Sequence, residues 1–357
     1  MTARIAQGRL RVLGMGRAMP GPPVATADLL QHIEHNFGIR VHTGVALGRK
    51  LGIEQRHLCR DLKARFEAPR AGDRNPQLAA RAVTAALQEA SLPVASLQYL
   101  LGHTATPARL LPPNIAEVAD ILGHARPYAE LRQACTGFAS ALQWATGLLA
   151  APNADPVAIV GSEVGSVYFD PLALLDEPGQ WVNMVQMGDG AGAIVLGPDD
   201  GNPGAWLESA FCGHLGPGRT PGFALEEGGS DYPGVRPGHA CATFRHDFTA
   251  VKQGGAELFH AGLTAAREAG VELDKLTFII PHQVNGRIGE WLARELRLPP
   301  ALFYGNAARV GNLGSAAIWV ALHDLRASGK LKRGDRVLIL GAEATQYLYG
   351  GFVYVHG

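Results

Sequence analysis

The feature of this sequence that most constrains its fold is an internal repeat. Residues 87–104, LQEASLPVASLQYLLGHT, resemble residues 266–283, AREAGVELDKLTFIIPHQ, and both stretches read as the end of a helix, a turn and a strand. Two segments of equal length that start at Cys135 and Ser315 also match, and each reads as a helix, a polar loop, a buried strand and the sequence G-x-E. The two offsets are 179 and 180 residues. Because the matches keep their order and offset, we predict a duplicated α/β unit.

The duplication predicts two similar halves, residues 1–200 and 201–357. The boundary falls in 197–204, GPDDGNPG, whose composition is typical of a turn. Apolar strands alternate with helices in each half, which predicts mixed sheets covered by helices. A ligand pocket commonly lies between two related halves, so we expect the functional site there.

Composition argues against several classes of function. The 32 basic residues balance the 32 acidic ones, so the chain lacks the positive surface of a protein that binds nucleic acid or an anionic membrane. No apolar run approaches the roughly 18 residues of a membrane span. The four cysteines lie far apart with no CxxC pair, which argues against a disulfide framework or a zinc site. These features predict a cytoplasmic protein without a metal centre.

Two segments lie outside the repeat. Residues 103–124 read as a Pro-rich loop that leads into a helix, and they suit an interface or a lid. Residues 213–239 hold eight Gly and four Pro, which is too irregular for a strand or a helix and too long for a simple connector. This second segment either covers substrate or is a solvent-exposed insertion.

Cys135 stands where an apolar helix is predicted to begin. It is either a small buried side chain, as most lone intracellular cysteines are, or a nucleophile. If it is a nucleophile, the free amides and dipole of the helix N-terminus would favour the thiolate. The small residues Ala134, Thr136 and Gly137 would let a substrate approach the backbone, where the Cys135 amide would bind an oxyanion.

The repeat points to two partners for this cysteine. His282 directly follows a predicted strand, at the strand end where ligands gather in α/β sheets. Asn312 precedes the helix that matches the cysteine helix, and it offers an uncharged donor and an acceptor. Packing the halves face to face would bring all three residues together. The stretch GDGAGA at 188–193 fits a dinucleotide loop poorly, because a strand follows it, and we interpret it as a structural turn.

Four motifs carry a family resemblance. They are ACTGF at 134–138, GDGAGAIVLG at 188–197, PHQVNGRI at 281–288 and GNLGSAA at 311–317, and a fifth stretch, LGIEQRHL at 51–58, supports them. In this order they resemble the beta-ketoacyl-acyl carrier protein synthase III family of the thiolase superfamily. The resemblance implies an α/β thiolase-like fold, in which two duplicated halves with mixed sheets are layered by helices as αβαβα.

The resemblance also implies an acyltransferase that acts as a ketosynthase. Cys135 would accept an acyl group from a coenzyme A or carrier-protein thioester. His282 and Asn312 would hold a malonyl-type thioester while it loses carbon dioxide, and the resulting enolate would attack the acyl group. The backbone amides of Cys135 and Thr345 would form the oxyanion hole. No metal or redox cofactor is implied, since coenzyme A and phosphopantetheine thioesters are substrates.

Further residues receive roles by the same resemblance. Arg287 and Lys50 would dock the carrier protein or coenzyme A, and Leu111 and Phe138 would belong to the substrate tunnel or its gate. Ala46 stands where the family has an aromatic residue against the adenine of coenzyme A, which leaves room for a carrier-bound donor. The resemblance implies a homodimer, in which the loop bearing Leu111 reaches the neighbouring active site.

One departure from the family lies near the C-terminus. At 341–351, GAEATQYLYGG, Ala344, Thr345 and Gln346 replace glycines of the usual turn, and a glycine conformation is costlier there. This change favours a specialised fatty-acid or polyketide pathway of secondary metabolism. It also keeps two alternatives open: an acyltransferase that passes the acyl group to a hydroxyl or amine, and a non-catalytic partner subunit.

Overall fold

The computed structural model describes residues 3–151 and 153–357. Its strands are β1 (Arg4–Ile5), β2 (Leu10–Ala18), β3 (Val24–Ala25), β4 (Gln55–Arg56), β5 (Tyr99–His103), β6 (Tyr128–Leu131), β7 (Val157–Glu163), β8 (Gly190–Pro198), β9 (Trp206–His214), β10 (Phe223–Leu225), β11 (Phe244–His246), β12 (Phe278–Pro281), β13 (Arg336–Glu343) and β14 (Leu348–Val355). Its α-helices are α1 (Thr26–Phe37), α2 (His42–Leu51), α3 (Asn75–Ala90), α4 (Asn114–Leu122), α5 (Gly137–Leu148), α6 (Ala173–Asp176), α7 (Gln180–Gln186), α8 (Phe248–Glu268), α9 (Ile288–Glu295), α10 (Ala307–Val310) and α11 (Ala317–Ala327). Over these ranges, no helix is both long and apolar enough to cross a membrane.

The main sheet shows the duplication in its strand order. In the described ranges, the strands follow the order β12, β13, β14, β9, β2, β8, β7, β5 and β6, and β1 pairs with β9. Outward from the centre, each half has two antiparallel pairings and then a parallel one: β9 to β14, β13 and β12 on one side, and β2 to β8, β7 and β5 on the other. A short pairing of β2 with β9 joins the strands of the two halves into one continuous mixed sheet.

Two buried helices lie between the halves. α5 contacts strands of both halves, including β7 and β14, and α11 likewise contacts β8 and β12. α3 packs against β2 and β8, and α8 packs against β13 and β14. Gly192 on β8 allows a close approach, because a Cβ there would lie 2.6 Å from the Cβ of Trp319 on α11. The layered α/β fold predicted from the sequence is the one observed.

The structure refines several boundaries. β5 begins at Tyr99 and β12 begins at Phe278, so the strands predicted within 87–104 and 266–283 lie near the ends of those stretches. The two G-x-E sequences end β7 and β13, so Glu163 and Glu343 occupy equivalent strand ends. The division into domains at residue 200 stays a prediction.

Two interpretations of glycine-rich stretches are corrected. The segment 213–239 contains a strand, β10, which pairs with β11, because Phe223 and Phe244 stack with ring centroids 4.6 Å apart. The stretch 188–193 is mostly strand, since β8 begins at Gly190. By contrast, the Pro-rich loop at 103–124 leads into α4 as expected.

Candidate active site

Cys135 lies in a turn between β6 and α5, which we call the Cys135 turn (residues 132–136). α5 begins at Gly137, two residues after the cysteine. A side chain at Gly137 would clash with the buried ring of His103, since a Cβ there would lie 2.6 Å from its Nδ1. The amide and hydroxyl of Thr136 donate to one carboxylate oxygen of Glu343, at 2.9 and 2.7 Å. The turn is therefore anchored to the end of β13, in the other half.

The expectation of a thiolate at Cys135 is not met. Burial, followed by the negative charges of Glu343 and Glu163, raises the pKa of the Cys135 thiol well above its usual value. The Thr136 amide, which would have stabilised a thiolate, donates to Glu343 instead. Cys135 is half-buried and rests as a thiol, so it must lose its proton as it reacts.

His282 follows β12 and is 1% exposed. Its amide donates to the carbonyl oxygen of Leu340 on β13 at 2.7 Å, which holds the residue at the strand ends. Burial lowers the pKa of His282 to about 4, so its imidazole is neutral near pH 7. Its Nδ1 has no hydrogen-bond partner among the residues that the structure describes. A neutral ring of this kind can donate through one nitrogen and accept through the other.

Asn312 lies just before α11 and is held through its backbone and its side-chain oxygen. Its amide donates to the carbonyl oxygen of Gln186 at 2.8 Å, and its own carbonyl oxygen accepts from Gly188 at 3.0 Å. Its Oδ1 accepts from the amide of Gly314 at 3.0 Å. Because the oxygen is engaged, the NH₂ group of Asn312 is the end that remains for a ligand.

Hydrogen bonds join the segments that carry these three residues. The hydroxyl of Ser315, three residues after Asn312, donates to the carbonyl oxygen of Ala134 at 3.1 Å. The residue after Cys135 is bound to Glu343 on β13, the strand to which the His282 amide is also bound. In the described part of the chain, no hydrogen bond directly links any two of Cys135, His282 and Asn312. The segments that carry the three predicted residues are thus held together across the two halves, and the catalytic roles of the three residues stay a prediction.

Sequence reasoning missed the two strand-end glutamates. Glu163 accepts from the amide and hydroxyl of Ser315, from the Ala105 amide at 2.9 Å and from the hydroxyl of Thr106. Glu343 likewise accepts from an amide and a hydroxyl of the other half, but these belong to Thr136, one residue beyond the position that matches Ser315. Their shared G-x-E sequence was visible in the repeat, and it was the signal that would have found them.

In the turn after β13, the residue with a glycine-like backbone conformation is not one of those that we expected. Tyr347 is the turn residue with a left-handed backbone, with φ at 55°, rather than Ala344, Thr345 or Gln346. Its hydroxyl donates to the carbonyl oxygen of Thr220 at 2.9 Å, which offsets part of that cost. Within the described ranges, neither the Thr345 amide nor the Cys135 amide donates a hydrogen bond to another residue, and their part in an oxyanion hole stays a prediction.

The two residues predicted to dock the carrier lie side by side. Lys50 and Arg287 are exposed, and the Arg287 guanidinium donates to the carbonyl oxygen of Arg49 at 3.3 Å. The last turn of α2, with Arg49 and Lys50, therefore adjoins the segment before α9, where Arg287 also lies 3.7 Å from the carboxylate of Glu290.

The two residues assigned to the tunnel or its gate differ in solvent exposure. Leu111 is 84% exposed. Phe138 is 0% exposed and packs edge-on against Trp319 and Phe352, with ring centroids 6.0 and 5.8 Å away. Phe138 is therefore packed in the core, and its assignment to the tunnel stays a prediction.

Two surface cavities lie away from the Cys135 turn. One of about 440 Å³ opens at the start of α8, and another of about 300 Å³ lies along the middle of that helix. Neither is lined by a residue of the Cys135 turn. No group of three or more metal-ligating side chains occurs among the described residues.

Comparison with known proteins matches this arrangement to one family. Residues 129–214 match the family model described as 3-oxoacyl-[acyl-carrier-protein (ACP)] synthase III, and residues 266–353 match the model of its C-terminal part. A beta-ketoacyl-[acyl-carrier-protein] synthase III of Streptomyces coelicolor is 31% identical over 330 residues, which cover 92% of this chain and 88% of that protein. The chain belongs to the 3-oxoacyl-[acyl-carrier-protein] synthase III family. It is an acyltransferase of the ketosynthase III-like, condensing type, and the predicted family and enzyme class are confirmed.

Solved structures of this synthase III family share the fold. A tetronic acid condensing enzyme superposes with a TM-score of 0.83 at 29% identity, over 97% of this chain and 99% of that chain. The 3-oxoacyl-(acyl carrier protein) synthase III of Pseudomonas aeruginosa gives a TM-score of 0.77 at 25% identity, over 98% of both chains. A 3-oxopimeloyl-[acyl-carrier-protein] synthase of Rhodothermus marinus is 31% identical over 88% of this chain and 85% of that protein. The thiolase-like fold class is confirmed.

Proposed function

We propose that this synthase III accepts an acyl group on Cys135 from a coenzyme A or carrier-protein thioester and condenses it with a malonyl-type thioester. One observation carries the proposal: the Cys135 turn is hydrogen-bonded both to the strand end beside His282 and to the segment that follows Asn312. A cysteine held among a neutral imidazole and an uncharged amide donor suits two-step thioester chemistry.

In the acylation step, the sulfur of Cys135 attacks the thioester carbon and the carbon–sulfur bond to the donor breaks. The thiol proton passes to the neutral ring of His282 and then to the departing pantetheine sulfur. The free amides of Cys135 and Thr345 donate to the oxyanion that forms. The products are an acyl-enzyme and a free thiol.

In the condensation step, His282 and Asn312 donate to the thioester oxygen of the malonyl unit. The bond to the carboxylate carbon breaks, carbon dioxide leaves, and its bonding electrons form an enolate that these donors stabilise. The enolate carbon attacks the acyl carbon, and the Cys135 sulfur leaves and recovers a proton. Decarboxylation supplies the carbanion, so no metal or redox cofactor takes part.

The surface of the protein suggests how substrates and a second copy bind. Lys50 and Arg287 suit the phosphate of a phosphopantetheine arm or the acidic surface of a carrier protein. β6 is the edge strand of the main sheet, and its Tyr128 is exposed, as are Leu110 and Leu111 in the nearby loop. An open sheet edge beside exposed apolar side chains favours a homodimer that continues the sheet.

The relatives support a specialised pathway. Two of them are named for unusual acyl products, a tetronic acid and a 3-oxopimeloyl thioester, whereas others are named simply as synthase III. All four cysteines are free thiols, which agrees with our proposal of a cytoplasmic enzyme. We propose that the acyl group accepted by the enzyme is a starter unit of fatty-acid or polyketide biosynthesis in secondary metabolism.

The test is a panel of acyl-coenzyme A and acyl-carrier thioesters, offered with and without malonyl thioester. Intact mass reports acylation, and radiolabel or a coupled assay reports carbon dioxide. The expected result is an adduct of acyl mass that is absent in Cys135→Ala, and carbon dioxide release that depends on His282 and Asn312. Acylation without release would support transfer to a hydroxyl or amine, and no acylation by any donor would support a non-catalytic subunit.

A further inference from the structure

Glu343 is a buried carboxylate that the reaction described above does not use. It is the last residue of β13 and is 3% exposed. It accepts hydrogen bonds from the amide and hydroxyl of Thr136 at 2.9 and 2.7 Å and from the hydroxyl of Thr345. All three partners are donors, so an ionised carboxylate satisfies every one of them.

The hydrogen bonds between Glu343 and Thr136 lie directly beside Cys135. The Thr136 amide is the backbone donor next to Cys135 at the start of α5. Amides at a helix start are the groups that stabilise a nearby anion. Here that amide donates to Glu343, which contacts the turn from 207 residues away in the chain. The anion that occupies the helix start is thus a carboxylate of the opposite half.

We propose that Glu343 is a positioning residue, which fixes the Cys135 turn and keeps the first helix amide and any stabilising positive potential away from the cysteine sulfur. The proposal rests on Cys135 being the acyl acceptor. Its consequence is that Cys135 stays protonated and unreactive until a thioester is bound and a base can take the proton. A resting thiol resists oxidation and alkylation, which require the thiolate.

Four titratable groups surround the Cys135 turn from the packed elements. Glu343 and Glu163 approach from the ends of β13 and β7, and both raise the pKa of the Cys135 thiol. His103, at the end of β5, and His282, after β12, have pKa values that burial lowers to about 3 and about 4. Both imidazoles therefore stay neutral above about pH 5, so Glu343 and Glu163, rather than the histidines, are the groups that act on the thiol, and burial raises the pKa of Glu163 itself.

Two substitutions separate the charge of Glu343 from its geometry. Glu343→Gln keeps an oxygen for the Thr136 donors but removes the negative charge. Glu343→Asp keeps the charge but shortens the reach to Thr136 by one methylene. Glu163→Gln is the matched control, because Glu163 ends the equivalent strand, also accepts from an amide and a hydroxyl of the other half, those of Ser315, and ranks below Glu343 in its effect on the Cys135 pKa.

The readout is the rate of Cys135 alkylation by iodoacetamide as a function of pH, followed by mass of the peptide that contains Cys135. In Glu343→Gln we expect the rate at pH 7.5 to rise roughly three- to tenfold and the inflection to move to lower pH. The Glu163→Gln rate should rise less. In Glu343→Asp the pH profile should stay close to wild type, whereas acylation by a thioester should slow by about tenfold.

Superimposed pH profiles of wild type and Glu343→Gln would overturn the proposal, as would a larger effect in Glu163→Gln. If thermal unfolding shows that Glu343→Gln does not fold, Glu343→Asp decides alone: wild-type acylation in that variant contradicts a positioning role. Alkylation needs no thioester, so the alkylation profiles are independent of the proposed function, whose failure would appear as no acylation by any donor or as acylation that survives Cys135→Ala.

Discussion

The two halves carry matching sets of polar side chains at equivalent places, but only one set has side chains that are free to react. Cys135, His282 and Glu343 correspond, through the offsets of 179 and 180 residues, to Ser315, His103 and Glu163, which we call the mirror site. In the mirror site, Ser315 is 1% exposed and its hydroxyl bonds to Glu163 and to the carbonyl oxygen of Ala134. The hydroxyl of Ser315 is therefore engaged in hydrogen bonds within the fold and is not free to react.

The histidines differ in the same way. Nε2 of His103 accepts from the indole nitrogen of Trp319 at 3.1 Å, and the ring packs against glycines of β7 and α5. His282 is held through its backbone amide, so its ring is not used to hold the segment in place. A duplicated scaffold therefore offers two equivalent places, and the hydrogen bonds that each side chain makes decide which place keeps free reactive groups.

The largest expected effect distinguishes the two nucleophile positions. Cys135→Ala should abolish acyl-enzyme formation, to below about 10⁻³ of wild type. Ser315→Ala should retain acylation but lower the free energy of unfolding by about 1–3 kcal/mol, because Glu163 loses a buried donor. Intact mass with the best donor and urea unfolding measure the two quantities. A folded Ser315→Ala protein that cannot be acylated would break the comparison.

The histidines should separate next. His282→Ala should lower condensation by about 10²–10⁴-fold, because the enolate loses a donor in a site shielded from water. His103→Ala should keep its activity when folded and lose about 2–4 kcal/mol of stability through a cavity and an unpaired Trp319 indole. Carbon dioxide release per folded enzyme is the measurement, and equal loss in both variants would contradict the assignment.

The pH dependence of stability tests whether the rings of His103 and His282 are both buried in the neutral form. Burial lowers the pKa of His103 to about 3 and that of His282 to about 4, from 6.5. Between these values and 6.5 the unfolded chain binds more protons, so stability is full above about pH 6.5 and falls as the pH drops. Each ring should contribute about 1.4 kcal/mol per pH unit.

The measurement is the free energy of urea unfolding at pH 6.5, 6.0, 5.5 and 5.0. His103→Gln and His282→Gln should each flatten the slope of the wild-type curve by one histidine's share. An unchanged slope in both variants would show that the rings are not buried neutral in solution.

The smallest effect concerns Phe138, which the repeat aligns with Ile318 on α11. Both side chains are buried between the halves. Phe138→Leu should lower the free energy of unfolding by about 1–2 kcal/mol through lost contacts with Trp319 and Phe352, and leave the preference for acyl chain length unchanged. A changed preference in the donor panel would support the assignment of Phe138 to the substrate tunnel.

Much of the fold was accessible from the sequence because it depends on local patterns. The repeat predicted two related α/β halves, and alternating strands and helices predicted the layers, since burial periodicity and turn composition are read along the chain. The motifs located Cys135, His282 and Asn312 for the same reason: each lies at a strand end or before a helix, and its element is recognised by its neighbours in sequence.

Only the tertiary structure decided the properties that depend on distant contacts. Local sequence favoured a thiolate at Cys135, but a carboxylate from 207 residues away takes the amide that would stabilise it. Periodicity identified Phe138 as part of a helix but not the rings against which it packs. The sequence alone determined which residues stand at the ends of the elements; the packing of the two halves determined their ionisation and availability, because electrostatic and hydrogen-bond energies depend on separations across the halves.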